Sequence, residues 1–234
     1  MCGRYDLNAN ANQLAFHFNL DQLTITEVTA VNATFPKYNI FPTSDVLAIV
    51  SDGDTNFPRC MGWGLAPFWI KNINDRARMI NARSESITER PAYKKIFQGQ
   101  RCLIPATGFF EWQKTSSKSK QPFRITMESD EMFALAGIWD HTTLKNFPNL
   151  GPITSCSIIT TSANSLMKPI HERMPVILPK DCYHDWLNPH NQNIEQLQEM
   201  LIPFDPELMR SYEVSTLVNS PQNATKEVLD PLIN

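Results

Sequence analysis

Apolar and polar positions along this chain change period often, and the segments they mark out are short. Leu14, Ala15 and Phe18 fall at helical spacing within 12–20 and predict a short amphipathic helix. The run DVLAIVS, Asp45–Ser51, is almost continuously apolar and predicts a strand. RCMGWGL at 59–65 predicts a second, whose glycines point to a bulge or a close backbone approach. Residues 101–113 (RCLIPATGFFEWQ) read as a broken strand pair, and 122–127 and 132–139 as strands joined by a polar turn at Ser129 and Asp130. Further strands are predicted at 155–161, 176–178 and 214–218. Helices are predicted at 179–187 and 194–201, a helical turn at 163–167, and a helix containing Tyr93 and Phe97 that Ser86 or Thr88 would cap. Segments 35–43, 66–69, 140–151 and 171–175 read as loops. Strands outnumber helices and intermix with them. The expectation is therefore an α+β fold: one domain over 1–234, with a mainly antiparallel, barrel-like β core and flanking short helices.

Composition sharpens this picture. Forty-two per cent hydrophobic residues among 234 are enough for a sizeable core, and 17 prolines against 8 glycines favour short elements over long helices. Five cysteines (Cys2, Cys60, Cys102, Cys156, Cys182) are scattered without metal-ligand spacing, which predicts reduced thiols in a cytoplasmic protein and no bound metal or other cofactor. Residues 1–20 lack the basic and apolar regions of a signal peptide, and no apolar run reaches the ~18 residues of a membrane span. The net charge of −3 hides a gradient: residues 181–234 hold nine acidic and two basic residues, leaving +4 on 1–180. Seven basic and three acidic residues crowd into 75–101. The front of the chain thus carries a candidate basic face, equally readable as a solvated stretch, and the acidic end has no assigned role.

Cys2 carries the most distinctive chemistry. If Met1 is removed, Cys2 bears an α-amine and a thiol on adjacent carbons. An α-amine with a pKa of roughly 7.7–8.0 is partly neutral near pH 7 without a special pocket. A 1,2-aminothiol suits aldehydes: the amine forms an imine, and the thiol closes it intramolecularly to a thiazolidine. Taken alone, Cys2 reads more simply as a free cysteine that happens to fall second.

Three polar residues stand in settings suited to serve such a nucleophile. Glu111 lies among Phe109, Phe110 and Trp112, so it is either turned to solvent or held where desolvation keeps it protonated; in a strand it shares a face with Phe109. His171, in PIHERMP, can shuttle protons at neutral pH, though a lone loop histidine is also an ordinary surface residue. Asn81 can hydrogen-bond an amine or a substrate through either end of its amide, or simply stabilise a turn. Arg4, Arg83 and Arg173 lie beside these candidates and have the forked geometry that suits phosphate. Phe68 and Trp69 could stack on unpaired bases, whereas Trp63 reads better as core.

The ordered set MCGRY, YNIFPT, WGLAPFW, NARSES, CLIPATGFFEW, AGIWD and TTSANSLMKPIHERMPVIL resembles the SOS response-associated peptidase (SRAP) family of abasic-site processing proteins. The match runs from Cys2 to about Leu178, with a weaker echo at 214–219. The resemblance implies a SRAP fold, with 2–178 as the motif-bearing core and 181–234 as an acidic part of the same domain. It implies covalent capture of abasic sites in single-stranded DNA, slow reversal and autocatalytic loss of Met1. By motif position it implies Cys2 as nucleophile and Asn81, Glu111 and His171 as its catalytic partners. Arg4 and Arg83 correspond to phosphate contacts and Trp69 to an aromatic near the DNA path; Arg173 joins them as a DNA contact. Phe41, Phe68 and Ile70 depart from residues common in the family, leaving the base-stacking wedge open. A monomer, nucleoid-associated if bacterial, with replication-fork proteins as candidate partners, completes the expectation.

Two other readings start from the same residues. A Met-Cys-Gly start also opens class II glutamine amidotransferases, but these carry a second domain for which 234 residues leave little room. A non-covalent single-strand-binding module explains the arginines and tryptophans but not Cys2, Glu111 and His171 together.

Overall fold

The computed structural model describes residues 2–20, 35–115 and 119–232. Its centre is a closed ring of five strands: β3 (Asp45–Ser51), β4 (Asn56–Trp63), β6 (Arg101–Ala106), β9 (Phe133–Thr143) and β10 (Pro152–Ser162). The order β10-β4-β3-β6-β9 returns to β10, and every pairing is antiparallel except the parallel β4–β10 seam. The ring closes because β9 and β10 are eleven residues each, long enough to serve two neighbours apiece. Three short strands extend its rim. β5 (Asn81–Arg83) runs parallel to β10, β11 (Arg173–Pro175) antiparallel to it, and β12 (Ile177–Leu178) pairs with β9.

A second sheet, ordered β13-β8-β7-β1-β2, lies against this barrel. Its strands are β1 (Tyr5–Leu7), β2 (Lys37–Ile40), β7 (Gly108–Lys114), β8 (Lys120–Met127) and β13 (Met209–Glu213). Alternation along β7 sends Phe109 into the main core shared with the barrel and Phe110 and Trp112 into a smaller cluster with Val214, Val218 and Val228. The acidic end of the chain is thus built into the structure: β13 forms the sheet's edge and 214–229 covers its outer face.

The N-terminal strand is held deep inside this assembly. Tyr5 pairs with both Ile40 and Phe109, so β1 has neighbours on both sides. Asp6, fully buried, accepts from Arg124 Nε at 2.9 Å and Nη2 at 2.8 Å, and from Thr107 Oγ1 at 2.6 Å. The hydrogen bonds and charge of Asp6 outweigh the cost of burial and raise the Arg124 guanidinium above its ordinary pKa, so the arginine stays charged. Gly108 makes room for the pair, since a Cβ there would meet Asp6 Oδ2 at 2.7 Å and Arg124 Nε at 2.8 Å.

Helices are few and short, as the proline content implies. Among the described residues they are α1 (Ala11–Phe18), α2 (Pro91–Phe97), α3 (Tyr183–Leu187) and α4 (Ile194–Glu199), with several 3-10 turns. Asn10 and Gln13 form a reciprocal capping box on α1. Arg101, buried in β6, donates to the carbonyls of Phe97 (2.8 Å), Trp186 (2.7 Å) and Asn188 (2.5 Å), fastening the ends of α2 and α3 to the barrel.

The α+β class and barrel-like core agree with the sequence reading, while several local expectations need correction. Segment 35–43 is not all loop: Lys37–Ile40 pairs with β1. β9 continues to Thr143 into the expected 140–151 loop because β10 offers it partners there. The 171–175 segment contains β11, drawn into a ladder by β10. Neither Ser86 nor Thr88 caps α2; Arg90 holds the cap position and Pro91 starts the helix with its fixed φ. The predicted helix over 179–187 divides into a 3-10 turn (Lys180–Cys182) and α3. The last strand is Met209–Glu213, and 214–218 holds a single bridge, Val214 to Pro231, followed by a 3-10 turn.

Candidate active site

Of the residues that the sequence singles out, the structure joins Cys2 to Asn81 and sets Glu111 beside them, where the barrel rim meets the second sheet. Cys2 is fully buried just ahead of β1. Its carbonyl accepts from Asn81 Nδ2 at 2.8 Å, which ties the N-terminal segment to β5 on the barrel rim. The thiol is pushed up to about 12, first by burial and then by the negative charge of Glu111, against the opposing effects of the N-terminal charge and the Arg4 backbone N–H. Glu111 is therefore an electrostatic neighbour of the thiol, and it is buried on the Phe109 face of β7, not turned to solvent. Asn81 Oδ1 is also buried and has no hydrogen-bond partner among the described residues.

Trp63 explains why two distant segments converge here. Its buried indole donates to the Ile80 carbonyl at 3.0 Å and meets Tyr5 edge-on at 5.4 Å. One side chain thus positions both Asn81, the next residue, and the strand that follows Cys2. The glycines beside it serve a close approach: Gly64 has φ +126°, and a Cβ there would lie 2.6 Å from the Arg76 carbonyl.

His171 precedes β11, and its loop is tied to β7. Gln113 Nε2, on the same face of β7 as Glu111, donates to the Pro169 carbonyl at 3.1 Å. His171 Nδ1 faces the Arg173 backbone, 3.0 Å from its N–H and 3.2 Å from its carbonyl oxygen, which fixes the ring against the start of β11.

The expected DNA contacts divide in two. Arg83 on β5 is exposed, and Trp69 (46 %) and Phe68 (56 %) present large aromatic surface to solvent. Their loop is firmly held, with Lys145 N–H donating to Phe68 O at 2.8 Å and Asn146 Nδ2 to Ile70 O at 2.8 Å, while Ile70 is buried as its anchor. Arg4 and Arg173 are committed to partners within the protein. Arg4 is buried against Asn39 Oδ1 (3.0 Å), and Arg173 pairs with both Glu85 oxygens (2.5 and 3.0 Å) and the Thr160 carbonyl (2.7 Å). Asn39, Glu85, Gln113 and Asn219, which accepts from Trp112 Nε1 at 2.7 Å, support the site and escaped the sequence reading. Their signal was only that Asn39 and Glu85 lie inside the ordered motifs and Asn219 closes the weaker echo.

A closed five-strand barrel and a second sheet laid over it, with Cys2 tied to Asn81 and beside Glu111 where the two meet, define a mixed α+β protein. The chain belongs to the SOS response associated peptidase (SRAP) family, whose sequence profile matches residues 1–221. It is 42 % identical over 231 residues to the abasic site processing protein YoaM of Bacillus subtilis, covering 98 % of each chain. It is 31 % identical over 230 residues to the abasic site processing protein HMCES of Xenopus tropicalis, covering 85 % of this chain and 67 % of that one. Among solved structures, a protein from Bacteroides thetaiotaomicron matches with a TM-score of 0.85 and 27 % identity, over 99 % of this chain and 100 % of the other.

Proposed function

We propose that this chain captures abasic sites in single-stranded DNA as a covalent thiazolidine on Cys2, once Met1 has been removed. The observation that carries the reading is the Asn81–Cys2 hydrogen bond with Glu111 beside the thiol. The names of its relatives supply the substrate.

A ring-opened abasic sugar offers an aldehyde at C1′. The freed Cys2 amine attacks it and water leaves, giving an imine. Burial keeps the thiol protonated, so the amine is the first nucleophile. The thiol then adds to the C=N carbon: a C–S bond forms, the π pair moves to nitrogen, and the thiol proton ends there. Loss of the C=N removes the electron sink that promotes β-elimination, so the strand is protected. The orphaned Asn81 Oδ1 provides an acceptor for the amine, Glu111 a proton relay beside sulfur, and the His171 imidazole a proton-transfer group for the same steps. Arg83 and the Trp69 platform hold the strand. Arg4 and Arg173 act on DNA through the groups that they position. One 1–234 domain working as a monomer suffices for this chemistry, with Met1 removal and slow reversal using the same residues.

The test is a denaturing gel of protein, with Met1 loss verified by mass, mixed with a single-stranded oligonucleotide bearing one abasic site. A heat-stable shifted band with the wild type and none with Cys2→Ala is expected. No band from processed protein that still binds the DNA would end the aldehyde-capture reading and favour glutamine or peptide hydrolysis.

A further inference from the structure

The acidic end of the chain builds a surface that the proposed chemistry does not use. Two adjoining apolar hollows of about 590 and 580 Å³ share the floor residues Ile177, Pro179, Phe204 and Leu208 and form one groove. None of Cys2, Asn81, Glu111 or His171 lines it. Within it Ile202 is 61 % and Leu208 54 % exposed, large apolar surface with no cover among the described residues. The floor is preformed. Asn164 Nδ2 donates to Phe204 O at 2.8 Å, and Asp205 caps the turn carrying Leu208 by accepting from Glu207 N–H at 3.0 Å.

Charge selects the occupant. Five carboxylates line the groove (Glu128, Glu131, Glu199, Asp205 and Glu207) against one cation, Lys180, which already lies 3.5 Å from Glu131. Residues 181–234, which supply much of this wall, carry a net charge of −7. An apolar trough inside an acidic rim favours a ligand that is apolar at its centre and basic at its ends. It disfavours nucleic acid, whose phosphates the rim repels.

We infer that this groove is a docking site for a short segment of another protein, carrying two large apolar side chains flanked by lysine or arginine. The groove shares no lining residue with the proposed capture site, so such a partner and an abasic strand would bind at separate surfaces.

The experiment is selection from a display library of random twelve-residue peptides on the full chain, in parallel with Leu208→Asp and, should that variant fail to fold by circular dichroism, Ile202→Asp. The expected result is enrichment of apolar pairs with basic flanks on the wild type alone. A synthetic representative should lose at least tenfold in affinity to Glu199→Lys/Glu207→Lys, and again on raising the salt. No enrichment, enrichment of acidic-flanked peptides, or peptides that bind the Asp variants unchanged would overturn the inference. So would concentration-dependent dimerisation abolished by Leu208→Asp, which would make the groove a contact between copies.

Discussion

Replacing Asp6 with asparagine keeps the volume of the side chain and removes its charge. Asp6 is fully buried and receives two hydrogen bonds from Arg124. In Asp6→Asn the guanidinium remains buried among β1, β7 and β8 with no counter-charge, and one of its donors faces an amide that can itself donate. Breaking a buried pair from one side costs about 3–5 kcal/mol. A fold of this size has about 5–15 kcal/mol in hand, so the loss is a large fraction of the total. With a urea slope of roughly 2–3 kcal/mol/M, the unfolding midpoint should fall by about 1–2 M. Buried Trp63 and Trp186 provide the fluorescence signal at pH 7. The double variant Asp6→Leu/Arg124→Met removes both charges and should cost less than Asp6→Asn alone, because no orphan charge is left. A cost below about 1 kcal/mol for Asp6→Asn, or a double variant worse than the single, would refute the view that this pair fixes the N-terminal strand.

Three other outcomes follow from the same structure. Arg101→Met orphans the buried carbonyls of Phe97, Trp186 and Asn188 and should cost about 3 kcal/mol or more, read as a lowered melting temperature. His17 is lowered to about 4, first by burial and then by Lys180, so its neutral form belongs to the folded state; stability should be fully present above about pH 6.5 and decline as pH falls toward about 4. Urea midpoints at pH 7 and pH 5 should differ less in His17→Gln than in the wild type. Trp69→Ala, in a Cys2→Ala background, should weaken single-stranded DNA binding about tenfold by fluorescence anisotropy, the loss of one stacked base, while leaving the melting temperature unchanged because Trp69 is half exposed.

What the sequence makes legible is what local chemistry governs. DVLAIVS is apolar enough to announce β3 with its true limits, and the alternation around Glu111 separates the two faces of β7. Lys37–Ile40, between two prolines, carries no pattern of its own and becomes a strand only because β1 lies beside it. Glu111 announces itself by standing among aromatics. Whether it is exposed depends on β1, about a hundred residues earlier, and no local pattern shows that neighbour. The arginines show the same limit from the other side. Arg4, Arg83 and Arg173 look alike as letters, yet Asn39 and Glu85 engage two of them. Partners of that kind are set by tertiary structure, and sequence spacing does not reveal them.

The interior place of β1 also sets a clock. Phe109, which pairs with Tyr5 and so locks the strand that follows Cys2, is synthesised roughly a hundred residues later than its partner. At about 5–20 residues per second, that interval leaves the Cys2 segment outside the folded sheet and open to a processing enzyme for about 5–20 s. Once β7 and β2 flank β1, Cys2 is fully buried and that access closes. Under the proposed capture reaction, freeing Cys2 with an outside enzyme is therefore a race against folding.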